Sequence, residues 1–401
     1  MDLCLTPAEK AFEAEVREFI AQNLPPELAY AQRMTGGVYP EPDVSRAWQR
    51  ILDQRGWGAP TWPVEFGGTG WTPTQRYLFE RSCASACAPF QHPMGLRLIG
   101  PVIMEFGSPE QKEKYLPRIL TGEDYWCQGF SEPSAGSDLR ALKSHLKRLG
   151  DTYVLNGTKI WTTHGHFANL MFALVRSEHD QTDGKKFSFI IVDMNAPGIT
   201  IQPIVTIGGE HELNQVFFDE VVIPPENIIG LSGDGWAKAL FLLKNERAGS
   251  FYSTRLKAWF QEVTALAEAL SLETPEDEAR EIRKRLSMLE LDLDALEFLE
   301  MNAVLPLAPG EVASEFTSSM IKLRTAKCRQ AISTLWVDVA GADARRWETE
   351  RPLKSAGDGV SRDMTRLATV RYLNDRAQTI FGGSSEIQHD IMARTLFQEQ
   401  R

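Results

Sequence analysis

Three textures follow one another along the chain. Up to about residue 124, apolar positions recur at helical spacing, and helix starts are marked by their first-turn residues. Thr6-Pro7-Ala8-Glu9 has the form of a capping box: the Thr hydroxyl takes an orphan N–H, the Glu reaches back, and Pro at the first helical position loses no needed donor. Ser108-Pro109-Glu110-Gln111 repeats the device ahead of KEKYLPRIL. Between them, GWGAPTWPVEFGGTGWTPTQ cannot continue a helix and predicts a long loop, with Trp57, Trp62 and Trp71 as core filler beneath it.

From residue 125 the period changes. YWCQGFS, DTYVLNGTKIWTT, LMFALVRS, KFSFIIVDM, GITIQPIV and NQVFFDEVVIP are β-branched and aromatic. They are punctuated by Asn156-Gly157, Asp183-Gly184, Pro197-Gly198 and Gly208-Gly209. Short strands at this spacing predict an antiparallel sandwich or barrel, not βαβ units. Helical pattern returns near residue 234 and runs to the end, through EDEAREIRKRLSMLELDLDALEFLEMNAV, with LAPG at 307–310 as a break. The expected division is a helical domain 1–124, a β domain 125–233 and a helical domain 234–401, an α+β chain without an internal repeat of 20 to 50 residues.

Composition narrows the function classes. The chain has 401 residues, 43% hydrophobic and 24% charged, which excludes disordered and collagen-like classes. A net charge of −11 argues against nucleic-acid binding but leaves room for a local basic patch that takes a phosphorylated ligand. The N-terminal MDLCLTPAEKAF lacks the basic and apolar regions of a signal peptide, and no apolar run approaches the ~18 residues of a membrane span. Five cysteines at irregular spacing (Cys4, Cys83, Cys87, Cys127, Cys328) do not make a disulfide framework, so a cytoplasmic location is expected.

No GxxxxGK[ST], no GxGxxG after a strand and no GxSxG elbow is present. His164-Gly165-His166 reads as a pair of loop histidines, with no metal assigned. The informative pair is GFSEPSAGSD, ending at Asp138, and LNGTKIWTT at 155–163. The first gathers small hydroxyls and backbone donors that suit an oxygen-rich planar ring or a phosphate, or else a solvated turn. The second reads as a hairpin ending in Trp161-Thr162-Thr163.

With WPVEFGG, FGSPEQKEKYLPRILTGE, VFFDEVVIP and IFGGSSEIQHDIMARTLF, these two segments make the chain resemble the acyl-CoA dehydrogenase flavoproteins over nearly its whole length. That resemblance implies an N-terminal helical domain, a middle antiparallel β domain and a C-terminal four-helix bundle. It implies FAD as cofactor, with Gln128, Phe130, Ser131, Gly136, Ser137, Trp161, Thr163 and Ser384 as cofactor-binding positions. Ser137 would also lie on the route of the CoA chain. The implied reaction is α,β-desaturation of an acyl-CoA thioester. A carboxylate takes the α-proton, and hydride passes from the β-carbon to flavin N5.

The usual C-terminal Tyr-Glu-Gly-Thr, whose Glu is the base, is here Phe381-Gly382-Gly383-Ser384. A glycine takes no proton. A subset of the family carries its base on an earlier helix in a Glu-Arg pattern, matched by Asn245-Glu246-Arg247. The expected base is therefore Glu246, with Arg247 as a substrate-positioning residue. Two family motifs are missing. No Arg-x-x-Phe-Gly occurs between 250 and 300, and the Gln of Gln-x-x-Gly-Gly-x-Gly is replaced by Val337.

Such losses resemble the large subunit of α2β2 heterotetrameric dehydrogenases, in which a related subunit completes the FAD site. That reading implies a steroid-type side-chain CoA ester as substrate and electron-transfer flavoprotein as acceptor. A homotetramer and a non-catalytic partner subunit stand as alternatives. No nucleic-acid or membrane partner is expected.

Overall fold

The computed structural model describes residues 5–177, 186–247, 251–270, 274–307, 313–345 and 360–398. Cys4, Asp183-Gly184, most of the LAPG break and the Arg247 side chain lie outside the described residues.

The first unit is helical: α1 (Pro7–Asn23), α2 (Pro26–Arg33), α3 (Pro42–Gln54), α4 (Pro73–Ser85), a π-helical stretch Met94–Ile99 leading into α5 (Gly100–Phe106), and α6 (Pro109–Leu120). The expected caps form. Thr6 Oγ1 accepts from Glu9 N–H at 3.2 Å while Glu9 Oε2 accepts from Thr6 N–H at 2.8 Å. Ser108 and Gln111 do the same at the start of α6, and Thr72 and Gln75 at α4. Such a cap contributes about 1 kcal/mol.

The Trp-rich loop fills cores on two sides. Trp57 and Trp71 meet edge-to-face at 5.4 Å among Phe12, Phe19 and Phe79. Trp62 turns the other way and donates from Nε1 to the Leu96 carbonyl at 2.6 Å. Gly68 is obligatory here, because a Cβ would lie 1.7 Å from the Trp62 carbonyl oxygen.

The second unit is a seven-stranded sheet: β1 (Trp126–Gly129), β2 (His145–Leu149), β3 (Thr152–Lys159), β4 (Leu170–Ser177), β5 (Phe187–Asp193), β6 (Ile199–Val205) and β7 (His211–Ile223). β4 and β5 are buried almost throughout, because the sheet is covered on both faces there, whereas β7 alternates inward and outward. Phe172, Leu174, Phe189 and Ile191 face one core, with Leu116 and Ile119 of α6. Met171, Ala173, Ile190 and Val192 face another, inside the sheet's own curl.

Two expectations are corrected. The sheet is mixed, not antiparallel throughout: β1 and β2 lie end to end along one edge of β4, and both run parallel to it. Neither reaches β4 through a hairpin, so nothing enforces reversal. Asn156-Gly157 is no turn between strands but a bulge within β3, and the hairpin is β2–β3. The reason is a close approach: a Cβ on Gly157 would lie 2.3 Å from Ser144 Oγ.

The last unit contains α7 (Gly235–Arg247), α8 (Tyr252–Leu270), α9 (Glu276–Val304), α10 (Glu315–Ala340), α11 (Val360–Asp375) and α12 (Ser385–Gln398). α8, α9, α10 and α11 form the four-helix bundle. Its core takes Leu286, Leu289, Leu293 and Leu296 from α9 and Ile332, Leu335 and Trp336 from α10. α7 belongs elsewhere: Ala239 and Leu242 pack into the core between sheet and first unit, so its C-terminal end arrives where all three units meet. Among the described residues no helix is long and apolar enough to cross a membrane.

Candidate active site

The site has two parts. The first is a shelf made by the segment after β1 and the end of β3. A buried ion pair builds it. Lys159, fully enclosed, donates from Nζ to Glu132 Oε1 at 2.8 Å, to the Leu174 carbonyl at 2.8 Å and to the Phe130 carbonyl at 3.1 Å. Glu132 also accepts N–H bonds from Lys143 at 2.5 Å and Ser144 at 2.9 Å. Burial pushes the Glu132 carboxyl up, but Lys159 and these donors outweigh it and hold the group below its ordinary value. Burial also brings the Lys159 ammonium down to about 8 against the opposing pull of Glu132. Ile160 N–H donates to the Ser131 carbonyl at 2.9 Å, which ties the loop to the strand end.

On this frame the chain presents unusual features. Trp161 sits at φ +61° and is 56% exposed, the reverse of what a large aromatic adopts without cause. The side chains of Gln128, Ser131, Ser137 and Thr163 make no hydrogen bond to any described residue. Gly136 is open: a Cβ there meets nothing within 4 Å. Thr162 is buried, its Oγ1 has no partner among the described residues, and its N–H donates to the Asn214 carbonyl at 3.0 Å. Side-chain donors beside an exposed indole fit a flat ring with oxygen and nitrogen atoms along its edge.

Two of the expected positions have side chains engaged within the protein. The Phe130 ring is inside the core, edge-on to Phe172 and Phe189 at 5.9 Å, so its side chain is not part of the shelf. Ser384 Oγ accepts from Ile387 N–H at 3.4 Å, at the start of α12.

The second part surrounds Glu246, on the last turn of α7. The carboxylate reaches Gly382: a Cβ on Gly382 would lie 3.7 Å from Glu246 Oε1. Gly382 has φ +63°. The two positions at which the resemblance implies a base, 382 and 246, therefore address one point in space. Lys322 of α10 is at the same place, with Nζ also 3.7 Å from that point. Tyr39, on the segment after α2, closes the circle. Burial raises its phenol, and the charges of Glu246 and Glu212 raise it further. Tyr39 stacks on Phe90 at 5.8 Å and meets His164 edge-on at 6.0 Å, which makes an aromatic wall between the two parts.

Glu212 joins the units. Its carboxylate accepts from Val38 N–H, from Tyr39 N–H at 3.2 Å and from Asn374 Nδ2 at 3.2 Å, and its carbonyl accepts from His164 N–H at 2.8 Å. Burial raises its pKa against these donors. Gly37 makes this possible, because a Cβ there would lie 2.7 Å from Glu212 Oε1.

The loop histidines have protein partners: His164 Nδ1 lies 2.7 Å from Tyr125 Oη, and His166 Nδ1 lies 2.9 Å from Asn214 Nδ2. Glu132, Lys159, Glu212, Lys322 and Tyr39 were not singled out from the sequence. Glu132 and Lys159 had a signal, since they are the charges inside the two informative segments. The other three had none, because their partners lie far along the chain.

Comparison with known proteins identifies the family. Three family profiles cover the chain: acyl-CoA dehydrogenase N-terminal domain over 6–123, middle domain over 127–221 and C-terminal domain over 233–397. The acyl-CoA dehydrogenase IpdE1 of Mycobacterium tuberculosis is 34% identical over 386 residues, covering 95% of each chain. Among solved structures, a steroid acyl-CoA dehydrogenase, Tcur3481–Tcur3483, superposes with a TM-score of 0.82 at 26% identity, covering 99% of each chain. The ChsE4–ChsE5 complex of M. tuberculosis shares the fold, with a TM-score of 0.79 at 24% identity over 99% of each chain. With its helical, β and helical units all matched and a relative this similar along almost its full length, the chain belongs to the acyl-CoA dehydrogenase family and is an acyl-CoA dehydrogenase.

Proposed function

We propose that the chain carries out α,β-desaturation of an acyl-CoA thioester, with Glu246 as the base and the Gln128–Thr163 shelf as the seat of the FAD ring. The observation that carries this reading is the Glu246 carboxylate lying over Gly382. The α-proton of a thioester is weakly acidic, so its acceptor must be close, oriented and shielded from water. The half-buried Glu246 and the aromatic wall of Tyr39 and Phe90 meet that need. Glu246 takes the α-proton, and the C–H pair at the β-carbon leaves as hydride. FAD bound on the shelf would supply the acceptor for that hydride. Ser131 and Thr163 offer hydroxyl donors to the ring edge, and Trp161 flanks the ring.

Glu246→Gln tests the base. The expected outcome is retained yellow colour with turnover reduced by about 10²–10⁴-fold. Unchanged turnover would remove Glu246 from the mechanism.

The reading extends to assembly. Val337, at the position where an amide would reach the adenine end of FAD, packs on the apolar core of the bundle. Arg-x-x-Phe-Gly is absent between residues 250 and 300. A second, related subunit supplying those contacts in an α2β2 heterotetramer accounts for both. The two-component steroid dehydrogenase among the structural relatives supports this assembly and a steroid-type side-chain CoA ester as substrate. Expression alone and with the companion gene separates the readings. A chain that holds about one FAD per subunit and turns over by itself is a homomeric enzyme. Electron-transfer flavoprotein is the proposed acceptor. The four described cysteines are unpaired thiols, which supports a reducing, cytoplasmic setting.

A further inference from the structure

We propose that Lys322 is a positioning residue for the reaction, holding the Glu246 carboxylate ionised before substrate arrives. This rests on Glu246 being the base. Two contacts fix the lysine. Its Nζ donates to the Gln378 carbonyl at 2.9 Å and lies 5.2 Å from the centre of the Phe381 ring. It stands 3.7 Å from the point where a Gly382 Cβ would be. Glu246 Oε1 stands 3.7 Å from the same point. A cation and a carboxylate thus flank one glycine, and no side chain at 382 comes between them.

A neighbouring opposite charge favours the ionised form of a carboxyl group. A base must be ionised to accept a proton, so the lysine extends the range of acid pH over which the enzyme is competent. Other charges face this pair from several elements. Tyr39, from the segment after α2, also faces Glu246 and is held neutral by burial and by Glu246 itself. Glu212, Tyr252 and Arg97 act on Tyr39 from β7, α8 and the π-helical stretch. Along α10, Arg329 repels Lys322 but is itself engaged by Asp375 at 2.6 Å. Burial lowers the Lys322 ammonium to about 8, with Glu246 opposing the shift, so at neutral pH the lysine still carries most of its charge.

The test is the pH profile of kcat/KM in the assembled, flavin-loaded enzyme, with octanoyl-CoA and a cholanoyl-CoA as probes. Lys322→Gln keeps an N–H donor for the Gln378 carbonyl and removes the charge. Its expected acid limb lies about one pH unit higher than that of the unsubstituted enzyme, with the plateau above pH ~8 retained. Lys322→Arg restores the limb. Lys322→Met serves as the second charge-removing variant should Lys322→Gln not fold. A folded, flavin-loaded Lys322→Gln or Lys322→Met enzyme with an unmoved acid limb overturns the inference while leaving Glu246 as base. Full turnover in Glu246→Gln overturns the underlying reading, and this inference with it.

Discussion

The shelf and the base end of the site are built in opposite ways. The shelf draws on residues 128–163, within one unit, locked by a buried ion pair, a strand end and Asn214 of the adjoining β7. The base end draws on Tyr39, Glu246, Lys322 and the 378–382 segment, which meet only because the first and last units pack together. In a locally built element each residue supports its sequence neighbours. An element assembled from distant parts depends on the packing that brings them to one point. Here a carboxylate from α7 and an ammonium from α10 meet over a glycine.

The largest expected effect breaks the shelf. Lys159→Ala leaves Glu132 buried without its cation, a loss of about 3–5 kcal/mol. It should appear in the denaturation midpoint and as loss of bound flavin. Stability within 1 kcal/mol of the parent would show that the pair does not hold the shelf.

The wall between the two parts is expected to be acid-sensitive. Burial, with His166 and His211 nearby, lowers His164 to about 4. The unfolded chain, with His near its ordinary 6.5, therefore binds more protons than the folded one between pH 6.5 and 4, and stability falls as pH drops through that window. His164 contributes roughly 2 kcal/mol to the loss at pH 5, read from denaturation at pH 7 and pH 5; His92 and His166, also lowered by burial, add to it, so His164→Gln should reduce the difference by its own share. An equal pH dependence in that variant would assign it to other groups.

The smallest effect sharpens the base end. Gly382→Ala places a methyl 3.7 Å from both Glu246 and Lys322, which is ordinary contact, on backbone at φ +63°. The expected cost is about 1 kcal/mol in stability with turnover changed by no more than a few-fold. A loss of turnover like that of Glu246→Gln would mean that the space over Gly382 tolerates nothing.

Local signals were legible because their cause is local. Thr6 and Ser108 cap their helices through bonds three residues long, and β4 and β5 were legible as strands from their β-branched and aromatic runs. The loop after β1 and the segment from β3 to Trp161 were legible as a motif, and the resemblance pointed to Glu246 as the base. Where reading went astray, a local signal met a distant constraint. Asn156-Gly157 has the composition of a turn, but Ser144 from the neighbouring strand needed that glycine.

The sequence by itself determined the order of the three units, their helix starts, the apolar strands and the candidate chemistry, because periodicity and capping act over a few residues. Only the tertiary structure decided that β1 and β2 run parallel to β4, that Lys159 and Glu132 form one buried pair, and that Glu246, Gly382 and Lys322 share a point. Those facts depend on distances between residues tens to more than a hundred positions apart, which packing sets and no local pattern encodes.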